Sequence, residues 1–96
     1  MKRVDVTPRA ARDLVEIWQY IAADNIDAAD RVIDRIRGEF QKLAGMPGIG
    51  HTRNELGPEY RVWGVYSYLI VYRPEMRPIQ IIRVVSGKRD LGRISR

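Results

Sequence analysis

Cysteine is absent from this 96-residue chain, and histidine occurs once, at His51. Without cysteine there is no disulfide framework and no thiolate metal site. A single histidine excludes an ordinary metal cluster built on two or more imidazoles, so no metal is expected. A Ser-His-Asp relay would have to use His51, which follows glycines and has no nucleophile elbow beside it. Long apolar runs are also missing, and none approaches the roughly 20 residues that cross a bilayer. Met1 to Val6 carries charge inside its short apolar stretch and has no signal-peptide core, so a cytoplasmic location is expected. No repeat, low-complexity tract or linker divides the chain. Its length predicts one domain, residues 1–96, around one modest hydrophobic core.

Arginine is what the chain has in quantity. Lys and Arg total 17 against 12 Asp and Glu, for a net charge of +5. Only Lys2, Lys42 and Lys88 of the cations are lysines. The planar guanidinium fork suits two-point contact with carboxylates or phosphates. An acidic partner is therefore expected, either nucleic acid or an acidic protein segment, with a solvated basic surface as the plain alternative.

Hydrophobic spacing lays out the elements. Val4-Asp5-Val6 alternates as a short strand, and Thr7-Pro8 reads as an N-cap followed by a first-turn proline. Ala11, Leu14, Ile17, Trp18 and Ile21 make one helical stripe, with Arg9, Arg12, Asp13, Glu16 and Gln19 on the opposite side. Asp24-Asn25 breaks that pattern. A second helix begins near Ile26-Asp27, with Ala29, Val32, Ile33, Ile36, Phe40 and Leu43 as its stripe. Asp27 with Arg31, and Arg35 with Glu39, are placed four apart to pair on its polar face. The short break predicts an antiparallel helical hairpin.

Gly45 and the run Met46 to Gly50 end the second helix. Gly48-Ile49-Gly50 has no preceding strand and no following Gly-Lys-Ser/Thr, so it reads as a helix exit rather than a phosphate loop. Three strands follow: Tyr60 to Trp63, a turn or bulge at Gly64-Val65, Tyr66 to Tyr72, a turn over 73–78, and Ile79 to Val85. Tyr66 to Tyr72 is apolar on both faces, which predicts a central strand. The predicted order is β-α-α-β-β-β, an α+β fold with a helical hairpin packed on a small, mostly antiparallel sheet. Trp18 and Phe40 are read first as core, with Trp18 also a candidate partner contact.

The ordered set Pro47 to Gly50, Arg53, Glu55-Leu56, Arg61, Tyr68 to Tyr72 and Gly87 to Leu91 resembles the toxins of the RelE/ParE superfamily, and its ParE branch most. Thr7-Pro8, Ala10-Ala11, Leu14, Ile17 and Tyr20-Ile21 are similar to the family's opening, and Ala28-Ala29 and Ile33 to its second helix. The likeness covers nearly the whole chain. It implies a toxin of a type II toxin–antitoxin system that needs no cofactor and blocks replication by binding DNA gyrase. It also implies a cognate ParD-like antitoxin with an acidic tail and a ribbon-helix-helix domain, in a toxin–antitoxin hetero-oligomer.

The RelE branch implies instead a ribosome-dependent messenger endoribonuclease. RNA cutting needs groups that move protons and cations that steady the phosphate. By resemblance, Arg61 and Arg89 would serve there. Trp63 stands where RelE-type enzymes carry a second lysine, and Leu69 where they carry an arginine. Ser86 and Ser95 stand near positions of histidine and tyrosine, and His51 near that of an arginine. These departures favour binding over catalysis. Arg53, Arg61, Arg83, Lys88 and Arg89 are expected on one side of the sheet's end as contacts for target or antitoxin, with Arg61 or Arg89 also expected to pair with Glu55 or Asp90. The tail Lys88 to Arg96 is basic, and it reads either as a target contact or as a frayed terminus.

Overall fold

The computed structural model describes residues 2–87. Strand β1 (Val4–Val6) leads into helix α1 (Pro8–Ala22) and helix α2 (Ile26–Gly45). A 3-10 turn at Pro47–Ile49 and a loop precede β2 (Arg61–Val65), β3 (Tyr68–Arg73) and β4 (Ile79–Ser86). The sheet order is β1-β4-β3-β2, with β1 parallel to β4 and the other two pairings antiparallel. The expected α+β order and the mostly antiparallel sheet are therefore both present. No helix among the described residues is long and apolar enough to cross a membrane.

Capping chemistry starts both helices. The Thr7 hydroxyl accepts from Ala10 N at 3.2 Å while Pro8 occupies the first turn. Asn25 accepts from Ala28 N at 2.9 Å, so the predicted break becomes the cap of α2. Thr7 has a second task, because its hydroxyl and backbone N–H both donate to Ile81 O and fasten the start of α1 to β4.

The main core lies between the helices and one sheet face. Ala10, Leu14, Ile36, Phe40 and Leu43 pack there against Val65, Ile70, Tyr72, Ile81 and Val84. Strand alternation sends Val62 and Val71 to the other face, where Leu56 from the β2-leading loop covers them. β3 is thus central and covered on both faces, as its two-sided apolar pattern predicts.

Several local expectations are corrected. Ala10, not Ala11, enters the core, and Trp18 stays half-buried outside it, its indole N–H donating to Asp30 of α2 at 2.8 Å. Asp13 is buried, not on a solvated face. Arg35 and Glu39 pair at 3.4 Å, whereas Asp27 and Arg31 form no ion pair among the described residues. Gly64-Val65 does not turn the chain, because β2 runs on through Val65 in register with Tyr68. The reversal falls on Tyr66-Ser67, with Tyr66 at φ 55°. Two-residue hairpins need left-handed backbone there, which glycine, Asn or Asp adopts readily and a bulky side chain does not. Tyr66 in that conformation costs on the order of 1–3 kcal/mol.

Candidate functional site

The most constrained polar site forms where β1 stops. β1 pairs with β4 only as far as Val6 opposite Ile81, so among the described residues β4 beyond that point has no strand on its outer side. Val84 N–H would be an orphan donor there, and buried orphans are costly. Asp13, in the second turn of α1, supplies the missing acceptor. Its Oδ2 accepts from Val84 N at 2.9 Å and from Arg83 Nε at 2.8 Å, and its Oδ1 accepts from Arg83 Nη2 at 3.3 Å. Arg9, one helical turn earlier, approaches the same carboxylate at 3.6 Å. One buried anion therefore joins α1 to the open edge of the sheet, between two arginines.

This carboxylate forms the floor of a groove of about 730 Å³ between α1 and the end of the β3–β4 pair. Arg9, Tyr20, Tyr68, Arg83 and Ser86 are among its walls. Burial pushes the Tyr68 phenol above the ordinary tyrosine range, and the neighbouring Tyr20 phenol adds to the shift. The Tyr68 phenol therefore stays neutral at physiological pH, and the groove offers hydrogen-bonding aromatic surface beside guanidinium groups.

A second constraint holds the β2 edge of the sheet. The buried Tyr72 hydroxyl donates to Pro47 O at 2.7 Å and accepts from Gly50 N at 3.0 Å. Arg61 Nη1 donates to Gly50 O at 2.8 Å. A Cβ on Gly50 would lie 2.5 Å from the Tyr72 hydroxyl and 3.0 Å from Val62 O, so this position needs glycine for space. Trp63, next on the same face, donates its indole N–H to Glu39 at 2.7 Å, and Lys42 Nζ sits 5.5 Å from its ring.

The expected arginine cluster is therefore not assembled as one patch among the described residues. Arg61 is on the edge strand β2, half-buried and bonded to a loop carbonyl. Arg83 is on β4, two strands away, and spent on Asp13. Arg53 is exposed in the loop before β2. Neither Glu55 nor any other carboxylate pairs with Arg61 among the described residues; the ion pair that matters structurally is Arg83 with Asp13. Lys88, Arg89, Asp90 and Ser95 lie outside the described residues. Sequence spacing misses Asp13 because nothing along α1 distinguishes it from its solvated acidic neighbour Glu16.

Comparison with known proteins decides the family. A family model described as the ParE toxin of the type II toxin–antitoxin system parDE matches residues 4–91. The chain belongs to the ParE toxin family. Toxin ParE3 of Caulobacter vibrioides is 27% identical to it, over 96% of this chain and 93% of its own length. Toxin RelE3 of the same organism is 32% identical over 88% of this chain and 92% of its own, and Putative toxin Y4kP of Sinorhizobium fredii is 37% identical over 88% and 86%. A solved structure of the chromosomal ParDE TA system from P. aeruginosa superposes with a TM-score of 0.75 at 22% identity, covering 92% of this chain and 98% of that one. At that identity the structural likeness establishes the fold. This ParE-family toxin is thus similar in sequence to relatives that carry both the ParE and the RelE names.

Proposed function

We propose that this ParE-family toxin inhibits DNA gyrase by binding, with no bond-breaking step of its own, and so blocks replication. The observation that carries this is Trp63. Where RelE-type enzymes present a lysine to RNA, this chain has an indole whose N–H is committed to Glu39. Arg61, the cation two residues earlier, is likewise committed to Gly50 O. Trp63 carries no charge with which to steady a developing phosphate, and Arg61 is tethered to the Gly50 loop through one of its N–H groups.

A cognate antitoxin holds the toxin inactive in a hetero-oligomer, and a ParD-like protein with an acidic tail and a ribbon-helix-helix domain fits the family. The groove between α1 and the open edge of β4 would seat part of it through the apolar faces of Tyr68, Tyr20 and Ile17, its two arginines Arg9 and Arg83 being balanced by Asp13 and Glu16. The solved ParDE system from P. aeruginosa is in keeping with such a pairing. An adjoining short reading frame with a ribbon-helix-helix pattern would supply the partner for the assay.

The test is supercoiling by purified gyrase. The toxin is expected to inhibit it, and added antitoxin to restore it. Normal supercoiling together with cut messenger on translating ribosomes would establish the second reading, a RelE-type endoribonuclease using Arg61 and Arg89. The 32% identity to the RelE3 toxin is what recommends that alternative.

Arg89 separates surface contact from fold maintenance. Arg89→Glu is expected to abolish growth arrest while the purified variant still unfolds cooperatively, which a thermal melt beside the growth assay checks. Unchanged growth arrest would remove Arg89 from the mechanism. Arg61→Glu is expected to lose both activity and stability, because its guanidinium also holds the Gly50 loop.

A further inference from the structure

The tip of the β2–β3 hairpin combines three features that fold maintenance does not require together. Tyr66 occupies backbone with φ 55°, where glycine would sit without strain and asparagine with less strain than a bulky aromatic residue. Its side chain is 65% exposed, so its burial does not offset that strain. Its ring nevertheless has a defined place, with the Arg35 guanidinium 5.7 Å from the centroid, and Arg35 is itself held by Glu39 at 3.4 Å. A strained residue at an exposed position, propped from behind, is the pattern of a side chain kept for contact.

We propose that Tyr66 is a gyrase-contacting residue of this toxin, presented by the strained hairpin tip and steadied by Arg35; this rests on the gyrase reading above. The chemistry favours a protein partner over a phosphate backbone. The one cation found against the ring among the described residues is already paired with Glu39, so the tip offers an aromatic surface and little free positive charge. Tyrosine is enriched at the energetic centres of protein interfaces because it adds much contact area for few rotatable bonds. The Tyr66 ring, though not the whole tip, is also apart from the groove assigned to the antitoxin. Ser67 and Tyr68 line that groove, whereas the Tyr66 ring lies toward α2.

The decisive variant is Tyr66→Asn, which suits left-handed backbone and removes the ring. Its unfolding midpoint is expected to be equal to or above that of the unaltered toxin. Its concentration for half-inhibition of purified gyrase is expected to rise roughly tenfold or more, the scale of a central interface aromatic. Affinity for the antitoxin is expected to stay within about twofold, as for a position outside that interface. Tyr66→Phe keeps the ring and is expected to inhibit nearly as well, and Tyr66→Gly repeats the test with a second residue suited to the turn. If the unaltered toxin inhibits gyrase and both ring-deleting variants inhibit it equally, the proposal is overturned while the gyrase reading stands. If the variants lose antitoxin binding and keep inhibition, the tip belongs to the antitoxin interface and the proposal is likewise overturned. If the unaltered toxin leaves supercoiling untouched, the gyrase reading itself falls, and this assignment with it.

Discussion

Asp13→Ala is expected to destabilise the toxin by about 3–5 kcal/mol, the usual loss when one partner of a buried ion pair is removed. The carboxylate is 4% exposed and satisfies three groups at once: the Arg83 Nε and Nη2 donors and the Val84 backbone N–H. Removing it strands a backbone donor at the open edge of β4 and leaves Arg83 without its counter-charge. In a chain of this size each kcal/mol lowers the melting midpoint by roughly 4–8 °C, so the loss should exceed about 12 °C. Asp13→Asn should fall between, since an amide oxygen still accepts from Val84 but carries no charge for Arg83. Arg83→Ala should cost less than Asp13→Ala, because Arg9 and Val84 N remain beside the carboxylate. Chemical denaturation of the three variants checks the order. An Asp13→Ala loss below about 1 kcal/mol, the size of a surface pair, would mean that the carboxylate does not complete the sheet edge.

The second large effect is expected at Gly50 and Tyr72. Gly50→Ala forces a Cβ to within 2.5 Å of the Tyr72 hydroxyl and 2.9 Å of its Cε1, with Val62 O only 3.0 Å away. Overpacking of this kind costs about 1–3 kcal/mol, and the backbone oxygen in the contact puts Gly50→Ala at the upper end. Tyr72→Phe removes the hydroxyl, leaving Gly50 N and Pro47 O without their partner, for about 1–3 kcal/mol. In the double variant the hydroxyl clash is gone, so the combined loss should be smaller than the sum. Additive losses would mean that the two residues do not share the contact.

The same tyrosine predicts an alkaline response. Burial raises the Tyr72 phenol above its ordinary range, and the Gly50 N–H and the Arg61 charge pull it back only in part. The folded state therefore holds this proton more tightly than the unfolded chain does. Its contribution to stability is complete below the unfolded value of about 10 and is lost as pH rises through the higher folded value. Tyr68 is shifted in the same direction, so Tyr72→Phe should remove part of the alkaline fall in stability and leave the rest. Denaturation at about pH 8 to 11, the range that brackets tyrosine ionisation, measures it. An identical slope in Tyr72→Phe would show that its hydroxyl is not buried.

The elements are legible in the sequence because their signals are local. Thr7-Pro8 and Asn25 announce the helix starts through side chains that reach only three residues, and the stripe from Ala29 to Leu43 needs only helical period. The two-sided apolar run over Tyr68 to Tyr72 marks a central strand without reference to its neighbours. Family membership is legible for a related reason, since the ordered motifs from Pro47 to Leu91 need only spacing. The turn lies beyond the position that spacing suggests because Gly64 is the residue a hairpin ordinarily wants, while the chain places Tyr66 in that conformation instead.

Sequence alone determined the helical hairpin, the strand order along the chain, the basic character and the family. Tertiary structure alone decided what the charged residues do. A carboxylate or guanidinium carries no sign of its partner in its own neighbourhood of sequence, and Asp13 and Arg83 are 70 residues apart. They meet because β1 is too short to cover β4 and α1 crosses the gap, a consequence of sheet order rather than of local pattern. For the same reason Arg61 and Arg83, which look like one basic cluster in the sequence, are held apart by β3 and engaged by different partners. A surface contact depends on which groups are left free, and that is settled only when the chain has folded.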